Sequence, residues 1–179
     1  MKPKWWNKAK KQLSKRDIVM KKLLSVYKGH LTTRNNFFYS LTRSIISQQI
    51  SVSAADSVFS KFEKKCRGKI NPKIVSKLSI TDLRRCGLSR MKALGIKSLA
   101  DKILDKSFNP KLIKKMSDEE AINYLSTLRQ IGRWSSEMVL IFFYNRPNIW
   151  PVQDIGLLRA ISNNYKKKYL PPKSFVNKL

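Results

Sequence analysis

The 179-residue sequence is long enough to bury the core of one compact domain or two small lobes, and its 42% apolar content excludes disorder throughout. A formal net charge of +27 makes the chain repel itself and draws it to polyanions, with nucleic acid the first candidate and a membrane surface the second. The two cysteines, Cys66 and Cys86, form no Cys-x-x-Cys pair, which argues against structural zinc or an iron–sulfur cluster and favours free thiols in a reducing cytosol.

The N-terminal segment is basic and carries Trp5 and Trp6, but no apolar region follows it, so it does not read as a secretory signal. No stretch of the chain approaches the roughly 20 apolar residues of a membrane span. Residues 17–31 have apolar side chains at helical spacing and predict one helix that ends at residues 28–30. His30 is the only histidine, and a lone histidine at a helix end is expected to be structural or exposed.

Two helices are predicted on either side of a polar break that reads Ser-Gln-Gln-Ile-Ser. The first covers Phe37–Ile46, and Ser51 or Ser53 can cap the second. Gln48 and Gln49 lie in the break itself. The residues alone leave open whether the break is an ordinary capped corner or a DNA contact.

Residues 73–110 predict two short helices around a Cys-Gly-Leu-Ser segment. Thr81 can cap the first helix and Ser89 the second, because a hydroxyl before a helix accepts a hydrogen bond from an amide of its first turn. We expect the basic residues of this segment either to contact a polyanion or to stay solvated.

A helical hairpin is predicted next. A capping box begins at Ser117 and opens a helix over Glu120–Leu128, and Met138–Tyr144 forms a second, apolar helix. Because only a few residues separate them, a helix-hairpin-helix is expected. Gly132 lies in the connection, where a glycine can adopt positive φ and let another backbone come close. Amides at the start of the second helix, near Trp134, can bind a phosphate, although an ordinary αα-turn is the alternative.

Asp154 follows Trp134 by 20 residues, stands three residues after Pro151 and precedes a predicted helix over Ile155–Asn163. A carboxylate at a helix N-terminus is stabilised in its charged form. Lysines and prolines end the regular pattern after that helix. The segment therefore predicts an acidic side chain held at the beginning of a helix.

Together these segments resemble the helix-hairpin-helix DNA glycosylase superfamily, and most closely its 3-methyladenine DNA glycosylase II branch. The family hairpin Gly-Ile-Gly-Arg-Trp-Thr-Ala is similar to residues 130–136, with Gln130 in place of the first glycine. The family Pro-x-x-Asp, whose carboxylate is catalytic, matches Pro151 to Asp154. Upstream, the family pattern Arg-x-Ile-x-x-Gln-Gln-x-Ser-x-x-Ala-Ala matches residues 43–55, and Gly-Leu-Ser-x-x-Lys-Ala matches residues 87–93.

The resemblance implies roles for the matched residues. Asp154 would be the catalytic carboxylate, and Trp134 would be the platform for the extruded base. Gln49, with Gln48 beside it, would be the wedge that fills the gap left by the flipped nucleotide. The hairpin residues expected to bind a DNA phosphate are Gly132, Arg133, Trp134 and Ser136. The family often holds a monovalent cation, Na⁺ or K⁺, on hairpin carbonyls, which by position are those of Ser126, Leu128 and Ile131.

The resemblance also implies an all-α, two-lobed fold with a central cleft and no N-terminal β domain, consistent with the lack of any sustained β alternation. Residues 1–36 would supply an N-terminal helix that joins the C-terminal lobe, and residues 37–130 would form the central lobe. Residues 131–179 would hold the second hairpin helix and the C-terminal lobe with Asp154. The family normally continues with a Trp-x-Pro-type segment, so we expect this sequence to be truncated or to run shorter.

The function implied is that of a monofunctional DNA glycosylase, which hydrolyses the N-glycosidic bond of alkylated purines (3-methyladenine, 7-methylguanine) in base excision repair. Relatives that also cut the backbone carry, where Trp134 stands, a lysine that forms a Schiff base, so no lyase activity is expected. The alternatives are a non-catalytic DNA-binding protein and a sister glycosylase for uracil, mismatched or oxidised bases.

Hydrolysis needs only water, so no divalent metal or organic cofactor is expected beyond a monovalent cation at the hairpin, and the four-cysteine iron–sulfur loop of some relatives cannot form. The expected partner is double-stranded DNA containing damaged bases. We expect the protein to be a monomer and not to bind a membrane. The expected place is the nucleoid-associated cytoplasm if the source is bacterial and the nucleus if it is eukaryotic.

Overall fold

The computed structural model describes residues 2–32 and 34–179, and within those ranges the chain is helical without a β-strand, as the sequence predicts. One 3₁₀ helix, Pro110–Lys115, precedes the hairpin. The α-helices are α1 Trp6–Arg16, α2 Ile18–Val26, α3 Phe37–Ser47, α4 Val52–Lys65, α5 Pro72–Val75, α6 Ile80–Arg85, α7 Arg90–Leu104, α8 Asp118–Ser126, α9 Arg133–Phe142, α10 Ile155–Asn164 and α11 Lys173–Val176.

Side-chain caps fix where most of these helices begin. Ser51 accepts from the amide of Ala54 at the start of α4, and Ser89 accepts from the amide of Lys92 at the start of α7. Ser117 and Glu120 form the predicted capping box of α8. These three serine caps are confirmed.

The cap of α6 differs from the prediction. Ser79, not Thr81, is the N-cap, and it forms a capping box in which Asp82 accepts from the Ser79 amide at 3.1 Å. A box satisfies two amides reciprocally, whereas Thr81 has no acidic residue three positions on. The helix after Ser89 is also longer than expected, with 15 residues.

The two ends of the chain contain helices that the apolar pattern does not reveal. The basic segment after Trp5 forms α1, and Asp17 separates it from α2 by accepting from the amide of Met20 at 2.7 Å. The predicted helix over residues 17–31 therefore ends early, at Val26. Near the C-terminus a short helix, α11, follows the prolines, which are tolerated at a helix start.

The chain divides into two compact units. The central unit is Arg34–Val139, and the terminal unit consists of Met1–Thr33 together with Leu140–Leu179. The division falls within α9, whereas the sequence-based boundary stands between residues 130 and 131. The central unit therefore contains the whole hairpin connection and the polar break after α3.

The core of the central unit is built by helices α3, α4, α7 and α8. Fully buried side chains from these helices include Leu41, Ile45, Phe62, Ile96 and Leu125. Aromatic rings extend this core, since Phe108 stacks between Phe37 and Tyr124 at centroid distances of 5.9 and 4.7 Å. This packing holds the ends of α3 and α8, from which the polar break and the hairpin project.

In the terminal unit, polar side chains bind distant parts of the chain. The indole of Trp5 donates to the carbonyl of Asn145 at 2.8 Å, and the Tyr165 hydroxyl donates to Asp17 at 2.9 Å. The second bond joins the N-terminus of α2 to the C-terminus of α10, the helix that Asp154 precedes. None of the helices in the described ranges combines the length and apolar character needed to cross a lipid bilayer.

Candidate functional site

The hairpin connection turns through Gln130 rather than Gly132. Gln130 has φ 67°, in the left-handed region, whereas Gly132 does not, and a Cβ at Gly132 would meet no atom within 4 Å. The prediction that Gly132 supplies positive φ and a close approach is therefore wrong. The left-handed residue of the turn lies two positions earlier, at position 130, where the resembled family has a glycine. In this chain a glutamine adopts that conformation, which is less favourable for a residue with a Cβ.

The close approach to the hairpin comes from Gly95, in the middle of α7. A Cβ at Gly95 would lie 2.8 Å from Cγ of Gln130 and 3.2 Å from the carbonyl oxygen of Arg129. A side chain there would have to displace the hairpin backbone. The sequence signal that could have found it is a glycine inside a helical pattern, which usually has a packing reason.

The first turn of α9 offers the amides suited to an anion. An α-helix provides no acceptor of its own for the amides of Gly132 and Arg133. The amide of Ser136 instead donates to the carbonyl of Gly132 at 3.0 Å, so it belongs to the helix rather than to a phosphate site. The Ser136 hydroxyl is buried between the Gly132 carbonyl and Ser126. The amides suited to a phosphate are therefore those of Gly132 and Arg133, nearer the turn, and not that of Ser136.

Arg133 is occupied by carboxylates of its own chain. Its guanidinium makes a bidentate pair with Glu119, at 2.9 and 2.6 Å, and donates to Glu137 at 3.2 Å. These bonds lower the pKa of Glu119, while burial raises the pKa of Glu137 against the opposing effect of Arg133. Arg133 therefore braces the hairpin, and sequence reasoning missed both glutamates although Arg133 and Glu137 have i, i+4 spacing.

Trp134 lines an open cavity of about 490 Å³ in the central unit. Its side chain is 36% exposed, which is more than a core aromatic would be. Three segments line the cavity, namely the break after α3, the N-terminus of α7 and the hairpin. The structure thus brings Gln48, Gln49 and Trp134, three predicted site residues, to one cavity.

The two glutamines of the break have different environments. Gln49 is exposed and has φ 57°, so its backbone turns sharply. Gln48 is half-buried, and its side-chain amide donates to the Gln130 carbonyl at 2.8 Å and to the Ser135 hydroxyl at 3.0 Å. Gln48 is therefore bound to the hairpin, and only Gln49 presents its side chain outward.

Asp154 is the N-cap of α10. One carboxylate oxygen, Oδ1, accepts from the amide of Leu157 at 2.6 Å, and the side chain is half-buried. Gly156 lies against the same oxygen, because a Cβ there would stand 3.0 Å from it. The hydrogen bond from the Leu157 amide and the space that a glycine leaves therefore both help to fix the carboxylate.

Of the carbonyls predicted to hold a monovalent cation, that of Ser126 belongs to the last residue of α8, and those of Leu128 and Ile131 lie in the connection before α9. The last carbonyls of a helix have no amide partner within it. The carbonyl of Leu128 accepts from the amide of Ile131 at 3.1 Å and keeps a second lone pair. Hard oxygen donors of this kind suit Na⁺ or K⁺. In the described part of the chain no group of histidine, cysteine, aspartate and glutamate side chains is arranged to hold a metal ion.

The chain matches a known protein family and several curated proteins. Residues 42–178 match the family described as HhH-GPD superfamily base excision DNA repair protein. The chain is 31% identical to an alkylbase DNA glycosidase-like protein of Schizosaccharomyces pombe, with 79% of this chain and 68% of that protein covered. It is 29% identical to DNA-3-methyladenine glycosylase 1 of the same organism, with 79% and 63% covered.

Solved structures agree. The fold is similar to that of the 3-methyladenine DNA glycosylase of Schizosaccharomyces pombe in complex with abasic DNA, with a TM-score of 0.81, 28% identity, and 96% of this chain and 86% of that chain covered. The chain spans 51% to 68% of the length of the curated relatives that it matches.

Proposed function

The chain belongs to the HhH-GPD superfamily of base excision DNA repair proteins, and from this premise we propose that it is a monofunctional DNA glycosylase, which hydrolyses the N-glycosidic bond of alkylated purines such as 3-methyladenine and 7-methylguanine. One observation carries the proposal. A half-buried carboxylate, Asp154, is held at the start of α10, in a chain whose hairpin has Trp134 in place of a nucleophilic lysine.

The role of Asp154 follows from the charge that the reaction develops. Breaking an N-glycosidic bond gives the sugar an oxocarbenium-like positive charge, which a preorganised carboxylate stabilises. The amide of Leu157 and the space at Gly156 fix the carboxylate before the substrate arrives, so little reorganisation is needed during the reaction. An alkylated purine already carries positive charge and leaves without a strong general acid.

Trp134 suits recognition of such a base. The face of an indole ring attracts cations, and an alkylated purine extruded from the stack is a flat cation. The ring is exposed enough to receive a base. Tryptophan has no amine and forms no Schiff base, so the strand stays intact after the base leaves.

Binding to damaged double-stranded DNA uses charge, the hairpin and the wedge. The excess of basic residues attracts the phosphates, and amides of Gly132 and Arg133 at the start of α9 bind one of them. Gln49 fills the gap that the extruded nucleotide leaves. A monovalent cation on the carbonyls of Ser126, Leu128 and Ile131 would reinforce the hairpin electrostatically. The protein acts as a monomer on DNA, in a bacterial nucleoid or a eukaryotic nucleus.

The test is base release from methylated duplex DNA by the parent protein and by Asp154→Asn, with the freed base identified. Release of 3-methyladenine or 7-methylguanine by the parent should fall on the order of a hundredfold or more in the variant, because preorganised charge is lost. Binding to abasic duplex should persist, and the strand should not be cleaved.

A matched control comes from Asp17, which caps α2 in the same unit and accepts from Met20. Asp17→Asn should leave release unchanged, since asparagine is an equally good cap. Binding of methylated DNA by the parent without release of any base would refute the enzyme and leave a non-catalytic DNA-binding protein. Release of only uracil or oxidised bases would show that these bases, and not alkylated purines, are the substrate.

A further inference from the structure

We propose that Lys92 and Gln48 are positioning residues that bind the turn carrying Gln49 to the hairpin, so that the wedge and the phosphate-binding turn engage DNA as one rigid unit. The inference rests on the proposed function. It assigns Gln48 a role different from the predicted one, since the side chain faces the hairpin and not an exposed surface.

Lys92 closes the C-terminus of α3. Its ammonium donates to the carbonyl of Ile46 at 2.8 Å and to the carbonyl of Gln48 at 2.6 Å. The last carbonyls of a helix lack amide partners and carry partial negative charge, so a cation there both satisfies and neutralises them. The side chain is half-buried and comes from the first turn of α7. The polar break is thereby tied to a helix of the core.

Gln48 connects the polar break to the hairpin by hydrogen bonds. Its backbone carbonyl is bound by Lys92, while its side-chain amide donates to the carbonyl of Gln130 and the hydroxyl of Ser135. Gln130 is the residue at the left-handed position of the hairpin turn. One residue therefore links α7, the break and the turn that precedes α9.

Gln49 gains its geometry from these bonds. It follows Gln48 directly and has φ 57°, a conformation that a non-glycine residue keeps only where the surroundings hold it. With the carbonyl before it fixed by Lys92, Gln49 keeps its side chain exposed at the cavity that Trp134 also lines. A wedge must hold an unstacked step open, and a turn free to relax would instead yield to the DNA.

Lys97 provides a matched control on the same helix. Its ammonium donates to the carbonyls of Ser76 and Leu78, at 2.5 and 3.0 Å, and so closes the chain after α5 in the same way. Lys92→Met and Lys97→Met each remove one charge and two hydrogen bonds from α7. Only the first affects the break that carries the wedge.

The experiment measures wedge insertion without chemistry. Duplex DNA with an abasic-site analogue next to 2-aminopurine reports unstacking by fluorescence, and anisotropy reports total binding. Lys92→Met should lose most of the fluorescence change, as Gln49→Ala does, while its affinity falls no more than that of Lys97→Met. Lys97→Met should keep the fluorescence change of the parent. Equal fluorescence changes in the two lysine variants would overturn the proposal.

Gln48→Leu gives a second route if Lys92→Met folds poorly. Leucine keeps the volume and removes only the side-chain bonds to the hairpin, so it should reproduce the loss of unstacking, and full unstacking by a folded Gln48→Leu would also overturn the proposal. Single-turnover release of an alkylated base should fall roughly tenfold or more in both variants. The fluorescence change does not require base release. A parent protein that releases no base would therefore refute the proposed function, whereas the fluorescence of the variants would still decide this inference.

Discussion

Gly156 leaves the space in which the carboxylate of Asp154 lies. Asp154 accepts from the Leu157 amide through Oδ1, and Gly156 is the residue that borders the same oxygen. Any side chain at position 156 would place a carbon 3.0 Å from the carboxylate, tighter than an ordinary contact. The acid is therefore positioned by an absence of atoms as well as by a hydrogen bond.

We expect Gly156→Ala to slow base release without unfolding the protein. The added carbon forces the Asp154 carboxylate to shift, and a shift of an ångström at a reacting group costs up to about a hundredfold in rate. Alanine favours the helix over glycine by about 1 kcal/mol, so the melting temperature should not fall. Single-turnover release and thermal unfolding measure the two effects.

Gly29 supplies the comparison for that variant, because a Cβ there meets nothing within 4 Å and the residue belongs to the same unit. Gly29→Ala should leave the rate unchanged. A Gly156→Ala protein that releases bases as fast as the parent would show that the carboxylate tolerates displacement.

At the level of elements, the hairpin is held by three different means. Arg133 joins the first turn of α9 to the first turn of α8 through Glu119 and also pairs with Glu137 of its own helix. Gln48 joins the turn to the break. The third means is steric. Helix α7 runs so close to the turn that only a glycine fits at position 95 without moving the hairpin. The turn that we propose to bind a phosphate is therefore preorganised by contacts within the chain.

Gly95→Ala is expected to destabilise the central unit by about 1 kcal/mol or more, because overpacking against the Arg129 carbonyl and Gln130 exceeds the gain in helix propensity. Urea unfolding measures the change. Ser98→Ala on the same helix should alter stability by less than about 0.5 kcal/mol, since position 98 has room for a side chain. Equal stabilities of the two variants would mean that the hairpin moves aside at no cost.

How far the sequence predicts these elements depends on the range of each interaction. Serine caps and the hairpin helices could be predicted because their signals lie within a few residues, as at Ser89 and Ser117. The bond from Gln48 to Gln130 spans 82 positions, and no periodicity reports it. The helix α1 was missed because its apolar stripe is short, consisting of Trp6, Ala9 and Leu13 among many lysines.

For the whole molecule, charge is the dominant property. The chain has 38 basic and 11 acidic side chains, so most of the positive charge stays unneutralised however the acids pair. Four of the acids, Asp56, Asp82, Glu119 and Glu137, pair with basic side chains within the protein. The surplus repels itself in the free protein and would be neutralised on the DNA that we propose as the partner, so we expect affinity to fall steeply with salt.

Each unit also contains a group that resists deprotonation. Burial raises the pKa of the Cys66 thiol to about 11 in the central unit. Burial and the hydrogen bond to Asp17 raise the pKa of Tyr165 to about 12 in the terminal unit. Since the folded state favours the neutral forms, their contributions are complete below the ordinary pKa values and are lost as pH rises through the raised values.

We therefore expect the stability difference between the parent and Tyr165→Phe to be constant up to about pH 10 and to shrink toward pH 12. Comparing two proteins of the same lysine content cancels the titration of the lysines. Urea unfolding across this pH range provides the measurement, with Tyr27→Phe, a change to an exposed ring, as reference. A difference that stays constant to pH 12 would contradict the assigned role of the Tyr165–Asp17 bond.

The contact between Gly95 and Gln130 also couples the residues that the two positions can hold. A chain with glycine at position 130 places no side-chain carbon against position 95, which relieves two of the three close contacts that a Cβ at 95 meets. With glutamine at position 130, any residue larger than glycine at position 95 has to displace the hairpin. The two positions lie 35 apart in the sequence, and the glycine in α7 leaves the room that the turn needs to carry a side chain at position 130.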